Sequence, residues 1–250
     1  MPTRRLVVSG LAALPILTLL PMPIAFAQAK GDTLATSGGD ATIHPVNHAS
    51  LYVGFGDQVL YFDPVGGPAL YAGLPKPTAI LITHPHGDHF DVPTLTALVA
   101  DGVSLIAPQA VIDGLPAEMK AKATLMANGQ SGAVNGLPVT AVAAYNITPD
   151  RLKFHPQGVG NGYVLTLGDK HVYVAGDTED TPEMRALTGI DVAFLPMNLP
   201  YTMTEAQAAD AVKAFKPKIV YPYHYMGSDP KKFADLVGDA AEVRLVDWYA

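Results

Sequence analysis

The sequence contains no cysteine, only one tryptophan and few basic residues. The absence of cysteine excludes disulfide bonds, thiol nucleophiles and cysteine-ligated metal sites. Its 16 Lys and Arg side chains are outnumbered by 23 Asp and Glu, which gives a formal net charge of −7 at pH 7. An acidic chain without basic runs argues against nucleic acid as a partner. A small-molecule substrate is the expected partner, and the oligomeric state stays open.

The first 29 residues have the pattern of a secretory signal peptide. Arg4 and Arg5 precede an apolar stretch at residues 6–20, and small-residue sites follow at Ala25-Phe26-Ala27 and Ala27-Gln28-Ala29. This is the order of basic region, apolar region and cleavage site in an exported protein. A retained anchor helix is the alternative, but the apolar stretch is too short to span a bilayer comfortably. The sequence therefore predicts a periplasmic or secreted protein with no stable membrane anchor after signal cleavage.

The remainder of the chain is predicted to be one domain, residues 41–250, after a flexible mature N-terminus at residues 30–40 that is rich in Gly, Asp, Ser and Thr. Strands are predicted over residues 41–45, 50–55, 58–62, 79–83, 103–107, 162–167, 170–175, 191–195, 218–221 and 242–246, with further short strands in 124–145. Helices are predicted over residues 93–100, 117–123, 182–187, 205–215 and 230–236. In each half of the chain, the predicted strands come first and the predicted helices come later. This order predicts an α/β (α+β) fold of two packed sheets with helices outside.

The six residues after the apolar run 79–83 combine three imidazoles with one carboxylate: His84-Pro85-His86-Gly87-Asp88-His89. Imidazole nitrogen and carboxylate oxygen are ligands that zinc and similar divalent ions take. In an extended segment His84 and His86 point the same way, while Asp88 and His89 lie past Gly87 and can face a second ion. A chance match is expected in roughly one such chain in a thousand or two. A metal site is therefore favoured over a histidine-rich surface loop.

Three further candidate ligands lie on loops next to predicted strands. Asp177 and His224 follow apolar strands, and His155 lies in a glycine-rich loop before one. Loops at one edge of a rigid sheet are well placed to bring such side chains together. The alternative for Gly176-Asp177-Thr178 is an ordinary turn.

The remaining histidines are weaker candidates. His171 competes with His155 for the first ion, but six strand residues at about 3.3 Å each place it roughly 20 Å from Asp177. It is expected on the surface of its strand. His44 and His48 precede a strand and are expected in the core or supporting the ligands, rather than as ligands.

Taken in order, these motifs resemble the metallo-β-lactamase superfamily of metal-dependent hydrolases. Other segments are similar to the branch that contains ascorbate-6-phosphate lactonase, namely Asn47-His48-Ala49-Ser50, Phe62-Asp63-Pro64, Leu195-Pro196-Met197-Asn198 and Pro222-Tyr223-His224-Tyr225. The likeness covers about residues 41–250. It is specific for the fold and for the metal, but not for the substrate.

The resemblance implies a fourfold αββα sandwich with a two-ion site at one edge. It implies a first ion held by His84, His86 and His155, a second held by Asp88, His89 and His224, and Asp177 as the bridge, with Asp88 and Asp177 as the catalytic carboxylates.

Two comparisons within the superfamily narrow the chemistry that the resemblance implies. True zinc β-lactamases lack this bridging aspartate, so Asp177 argues against β-lactamase activity. Redox relatives carry a carboxylate at the position of His86, so an all-imidazole first site favours zinc hydrolysis over di-iron electron transfer.

The expected function is hydrolysis of a small lactone, ester or amide, with two divalent ions, zinc first and manganese or iron as alternatives. A metal-bridging hydroxide is the expected nucleophile, because such ions lower the pKa of bound water toward about 7. Asn198 and Tyr201 follow a predicted strand and are candidate substrate-binding residues, with a structural role as the alternative. A phosphodiesterase of the same superfamily and a non-catalytic metal-binding module are the competing functions.

Overall fold

The structure, a computed structural model, describes residues 31–249, so the predicted signal peptide lies outside it. The described chain forms two seven-stranded sheets. The first contains β1 (Asp32–Thr36), β2 (Gly39–Asn47), β3 (Ser50–Phe55), β4 (Gln58–Phe62), β5 (Ala79–Leu81), β6 (Ser104–Ala107) and β7 (Ala123–Leu125). The second contains β8 (Ser131–Val134), β9 (Leu137–Ala144), β10 (Gly160–Leu167), β11 (Lys170–Val174), β12 (Val192–Pro196), β13 (Ile219–Tyr223) and β14 (Glu242–Val243). The helices are α1 (Val92–Leu98), α2 (Gln109–Gly114), α3 (Ala117–Lys120), α4 (Pro182–Arg185), α5 (Glu205–Phe215) and α6 (Pro230–Val237).

The two sheets repeat one pattern of strand pairing. In the first sheet, β1 to β4 are antiparallel and β4 to β7 are parallel. In the second sheet, β8 to β11 are antiparallel and β11 to β14 are parallel. Parallel neighbours need crossover segments, and all six helices lie in these crossovers. The prediction of two strand–helix halves is confirmed.

Three apolar clusters show how the layers pack. The central cluster joins side chains of both sheets, including Leu51 and Phe62 from the first and Leu165 and Phe194 from the second. A second cluster lies between the second sheet and helices α5 and α6, and a third lies between the first sheet and helices α1 and α2. Each sheet is thus buried on both faces, with helices outside. This is the predicted αββα order of layers.

The segment 30–40 differs from its prediction. Residues 32–36 form β1, which pairs with β2 and buries Leu34. Asp32 also connects this strand to the second sheet, because its carboxylate accepts hydrogen bonds from Tyr221 and Arg244. For the described residues 31–40 the prediction of a flexible segment is therefore wrong. The polar composition of this segment does not show that it pairs with β2 in a hairpin or that Asp32 contacts Tyr221 and Arg244.

Two smaller differences occur in the first half of the chain. The helix predicted over 117–123 is only Ala117–Lys120, and Ala123 already begins β7. Helix α2 was not predicted, because a run of six residues is too short for an apolar period to show.

Within the residues that the structure describes, no helix has the length and apolarity to cross a membrane.

Gly162 in β10 provides a test of the strand packing. A Cβ atom there would lie 2.6 Å from the carbonyl oxygen of Ala175 and 2.9 Å from the ring of Tyr173. The neighbouring backbone would have to shift to make room for this methyl group. Gly162→Ala is therefore expected to lower the free energy of unfolding by about 1–3 kcal/mol. Gly54→Ala in β3 is the matched control, because its nearest atoms would lie 3.7 and 3.9 Å away. Equal denaturation midpoints for the two variants would contradict this account of the packing.

Candidate metal centre

The candidate ligands converge at one edge of the sandwich. His84 to His89 lie on the loop after β5, Asp177 follows β11 and His224 follows β13. His155 lies on the loop before β10. Both sheets therefore contribute donors to one site, although these residues are far apart in the sequence.

A first cluster consists of three imidazoles. The Nδ1 atom of His86 lies 3.1 Å from Nε2 of His84 and 3.2 Å from Nε2 of His155. Tetrahedral zinc with bonds of about 2.0–2.1 Å separates its ligand atoms by about 3.3 Å. The spacing of the three nitrogens therefore fits one divalent ion.

A second cluster contains Asp88, His89 and His224. The Oδ2 atom of Asp88 lies 3.3 Å from Nε2 of His224 and 3.9 Å from Nε2 of His89. The spacing is looser than in the first cluster. A mixed set of two imidazoles and a carboxylate is also one that zinc accepts.

Asp177 lies between the two clusters. Its Oδ2 atom is 3.3 Å from Nε2 of both His155 and His224, and its Oδ1 atom is 3.4 Å from Nε2 of His89. Gly176 permits this placement: its φ is +67°, and a Cβ atom there would lie 2.8 Å from the carbonyl oxygen of Asn161. The carboxylate can therefore face both clusters at once.

Unpaired polar atoms test whether these residues fit a metal. Nε2 of His89 and Oδ1 of Asp177 are buried without a hydrogen-bond partner. Buried polar atoms in proteins are almost always paired, so such atoms call for an explanation. Divalent metal ions between the donors would supply it, and the donor types and spacing fit.

Comparison with known proteins identifies the family. A family profile described as a beta-lactamase superfamily domain matches residues 30–225. The protein belongs to the metallo-β-lactamase superfamily. The chain is 32% identical over 215 residues to a UPF0173 metal-dependent hydrolase of Pyrococcus abyssi, and the match covers 79% of this chain and 92% of the relative. The predicted membership is therefore confirmed, and the protein is a metal-dependent hydrolase of this superfamily.

Solved structures agree with this family. A crystal structure described as that of a metal-dependent hydrolase from Parabacteroides distasonis superposes with a TM-score of 0.81 at 38% identity, covering 89% of this chain and 100% of that one. Igni18, a metallo hydrolase from Ignicoccus hospitalis, gives a TM-score of 0.70 at 23% identity, covering 84% of this chain and 96% of that one. The second likeness supports the fold alone.

The charge states of the metallo-β-lactamase site follow from burial and from neighbouring charges. Burial lowers the pKa of His84 well below its ordinary value, which leaves a neutral imidazole. Burial would raise the pKa of Asp177, but His224 and His89 hold it well below its usual range. Burial would lower the pKa of His89, but Asp177 and Asp63 raise it to about 9. His89 must therefore release a proton when it binds a metal ion, so metal affinity rises with pH.

Two hydrogen bonds outside the donor set orient the imidazoles. Oδ2 of Asp63 lies 2.8 Å from Nδ1 of His89, and this carboxylate also accepts bonds from the backbone and hydroxyl of Thr83. The carbonyl of Tyr201 lies 3.1 Å from Nδ1 of His155. Such bonds fix the tautomer and direct Nε2 toward the metal. Asp63 was not predicted as a site residue, although its place directly after β4 matches the places of Asp177 and His224 after their strands.

The three weaker histidine candidates differ in their positions. His48 lies beside the second cluster, with Nε2 at 3.1 Å from Oδ2 of Asp88. His44 stacks on Tyr52 at 4.8 Å. His171 lies on β11, where Nδ1 is 3.1 Å from the hydroxyl of Thr166. Among the described residues, His44 and His171 belong to no group of metal-ligating side chains.

A cavity of about 470 Å³ opens beside the donors. Both predicted substrate-binding residues line it, Asn198 and Tyr201. When the Asn198 amide is oriented so that its nitrogen donates to the carbonyls of Met226 and Leu199, its oxygen is the atom left for a substrate. The ring of Tyr201 packs against Phe154 at 5.0 Å. The complete lining consists of His86, Gly87, Asp88, Phe154, His155, Asp177, Asn198, Tyr201 and His224.

Metal content distinguishes His155 from His171. The wild-type protein is expected to approach two equivalents of zinc, and His155→Ala is expected to lose about one, because the first cluster then lacks a donor. His171→Ala is the matched control and is expected to keep both, because its imidazole contacts Thr166 instead. Elemental analysis after dialysis measures the difference. A loss confined to His171→Ala would reverse the assignment.

Proposed function

We propose that this metal-dependent hydrolase is an exported enzyme that binds two divalent ions and cleaves a small lactone, ester or amide. The observation that carries the proposal is the pair of three-donor clusters joined by Asp177. Zinc is the proposed metal because the first cluster is all imidazole, with manganese or iron as alternatives.

The two clusters would hold and orient the ions. When bound, the ions would supply an activated water and polarise the carbonyl oxygen of the substrate. Asp88 and Asp177, both held as carboxylates, contribute negative charge at the second cluster and at the bridge. No thiol is present in the sequence to serve as a competing nucleophile.

The character of the cavity supports a carbonyl substrate over a phosphodiester. In the part of the chain that the structure describes, no Lys or Arg lines the cavity. Enzymes that transfer phosphoryl groups commonly clamp the phosphate oxygens with such cations. The nearby ammonium of Lys153 lies over the ring of Phe154 at 5.1 Å. Phosphodiester cleavage remains the second candidate because the two-cluster geometry suits both reactions.

The rim of the cavity favours a substrate with an apolar portion. Phe154 and Tyr201 form one side. Two exposed apolar side chains are close in sequence to lining residues: Leu199 follows Asn198 and is 51% exposed, and Met226, two residues after His224, is 61% exposed. Apolar side chains grouped around a polar pocket commonly bind the non-reacting part of a ligand.

Similarity to the ascorbate-6-phosphate lactonase branch, whose name indicates a phosphorylated substrate, stays a prediction.

Activity depends on metal and on Asp177 under this proposal. A panel of lactones, carboxylic esters, amides, β-lactams and phosphodiesters is expected to identify a carbonyl substrate, whose turnover a chelator abolishes and added zinc restores. Asp177→Asn is expected to lower kcat by about 100-fold or more, because a preorganised charge at the reacting centre is lost. Protonation of the ligands is expected to lower the rate at acid pH.

Asp57→Asn, in the exposed turn between β3 and β4, is the matched control and is expected to keep full activity. Circular dichroism checks that both variants are folded. Turnover that survives exhaustive chelation, or an unchanged kcat in Asp177→Asn, would refute the mechanism. Preferential cleavage of phosphodiesters would select the second candidate function.

Export is tested with the full chain expressed in a bacterium with a periplasm. The mature protein is expected in the periplasmic fraction, with a mass that corresponds to cleavage after Ala27 or Ala29. Replacing Arg4 and Arg5 by glutamate is expected to retain the uncleaved protein in the cytoplasm, because the basic region of the signal is lost. Full-length wild-type protein in the membrane fraction would instead support a retained anchor.

A further inference from the structure

His48 connects the second cluster to residues that lie outside the donor set. Its Nε2 atom is 3.1 Å from Oδ2 of Asp88, and its Nδ1 atom is 2.9 Å from the hydroxyl of Tyr249. Its ring lies against that of His224, with centroids 4.0 Å apart. His48 therefore touches two of the three residues in the second cluster.

The direction of these hydrogen bonds can be assigned. The backbone N–H of Met226 donates to the hydroxyl oxygen of Tyr249. That hydroxyl is then free to donate its own hydrogen to Nδ1 of a neutral His48. The remaining ring hydrogen is on Nε2, where it points at the carboxylate of Asp88, which can only accept. Tyr249 thus selects the tautomer of His48 that donates to Asp88.

The backbone holds His48 in this position. Its N–H donates to the carbonyl of Trp248, and its carbonyl accepts from the N–H of His224. The residue has a φ of +53°, in the turn between β2 and β3. A non-glycine residue with positive φ is uncommon and persists where its surroundings fix it. The imidazole is therefore fixed before any ion arrives.

Asp88 needs such a partner more than the other ligands do. Its side chain is 51% exposed, whereas those of His89 and His224 are 0% and 2% exposed. An exposed side chain samples several rotamers, and holding it in one costs conformational entropy. A rigid donor at its carboxylate removes part of that cost before a metal binds.

We propose that His48, held by Tyr249, is a positioning residue that keeps the Asp88 carboxylate directed at the second ion. This inference rests on the two-ion site of the proposed function. It goes beyond the seven predicted ligands, because it gives a role to an eighth side chain and to Tyr249. Direct ligation by His48 is the competing arrangement, since its Nε2 atom lies with the donors of the second cluster.

Calorimetric titration of the metal-free protein with zinc measures the affinity for each of the two ions. His48→Ala is expected to weaken binding of the second equivalent by about 10–100-fold and to leave the first unchanged, as found for residues that orient ligands. Tyr249→Phe removes only the hydroxyl and is expected to cause a smaller loss at the same step.

His48→Gln distinguishes positioning from ligation. Its amide N–H can occupy the place of Nε2–H and donate to Asp88, but an amide nitrogen is not a metal ligand. Recovery of most of the second-ion affinity in this variant supports positioning. If His48→Gln binds as weakly as His48→Ala and the spectrum of the cobalt-loaded protein changes, His48 is a ligand and the proposal is wrong.

Two matched controls show whether any loss is merely structural. His44→Ala removes a histidine of β2, and Tyr225→Phe removes the hydroxyl of a tyrosine that packs on Tyr249. Both are expected to keep wild-type affinity for both ions. If the wild-type protein binds two ions and the His48 variants bind both with the same affinity, the inference about His48 is wrong and the two-ion proposal stands. If the wild-type protein binds only one ion, the two-ion site of the proposed function is wrong.

Discussion

The carboxylate of Asp177 is buried where the two sheets meet, and four imidazoles lie within 3.3–3.9 Å of its oxygens. A buried charge destabilises a fold strongly unless an opposite charge or several hydrogen bonds compensate it. Without a metal, neighbouring imidazoles supply that charge, and Asp177 and Asp63 accordingly raise the pKa of His89 to about 9. Divalent ions held by these donors would take over that role as His89 releases its proton, which would couple metal binding to the stability of this edge.

The position of this carboxylate depends on how the two sheets are joined. The backbone N–H of Asn161, in β10, donates to the carbonyl of Thr83, which directly precedes the histidine motif. The hydroxyl of Tyr163 donates to the carbonyl of Ile82. The first and second sheets are thus hydrogen-bonded to each other beside the ligands. Donors from distant segments can therefore be held to within tenths of an ångström, as a metal site requires.

The same edge also shapes the cavity. Tyr201 supplies a carbonyl that orients His155 and a ring that lines the cavity, so one residue serves both the metal site and the pocket. Two aromatic rings, those of Phe154 and Tyr201, line the cavity together with candidate metal donors. A substrate in this cavity would contact both the candidate metal donors and these aromatic rings.

Most of the architecture was predictable from local patterns, and the structure brings together the candidate ligands that the sequence indicated. Alternating and continuous apolar runs predicted the strands, and the dense motif from His84 to His89 predicted metal chemistry by itself. Distance along one strand was enough to separate His155 from His171. Local patterns failed for residues 30–40, where the order of β1 comes from pairing with β2 and from Tyr221 and Arg244.

Only the tertiary structure showed which side chains Asp63 and His48 contact. Both residues lie in segments that resemble the lactonase branch, and a position supporting the ligands was one expectation for His48. Their partners, His89 and Asp88, could not be identified because they are 26 and 40 residues away. The sequence by itself determined which side chains are able to bind metal, since that is a property of residue type and local spacing. The packing of one sheet on the other decided which of them meet, because contacts between distant segments exist only after the chain has folded.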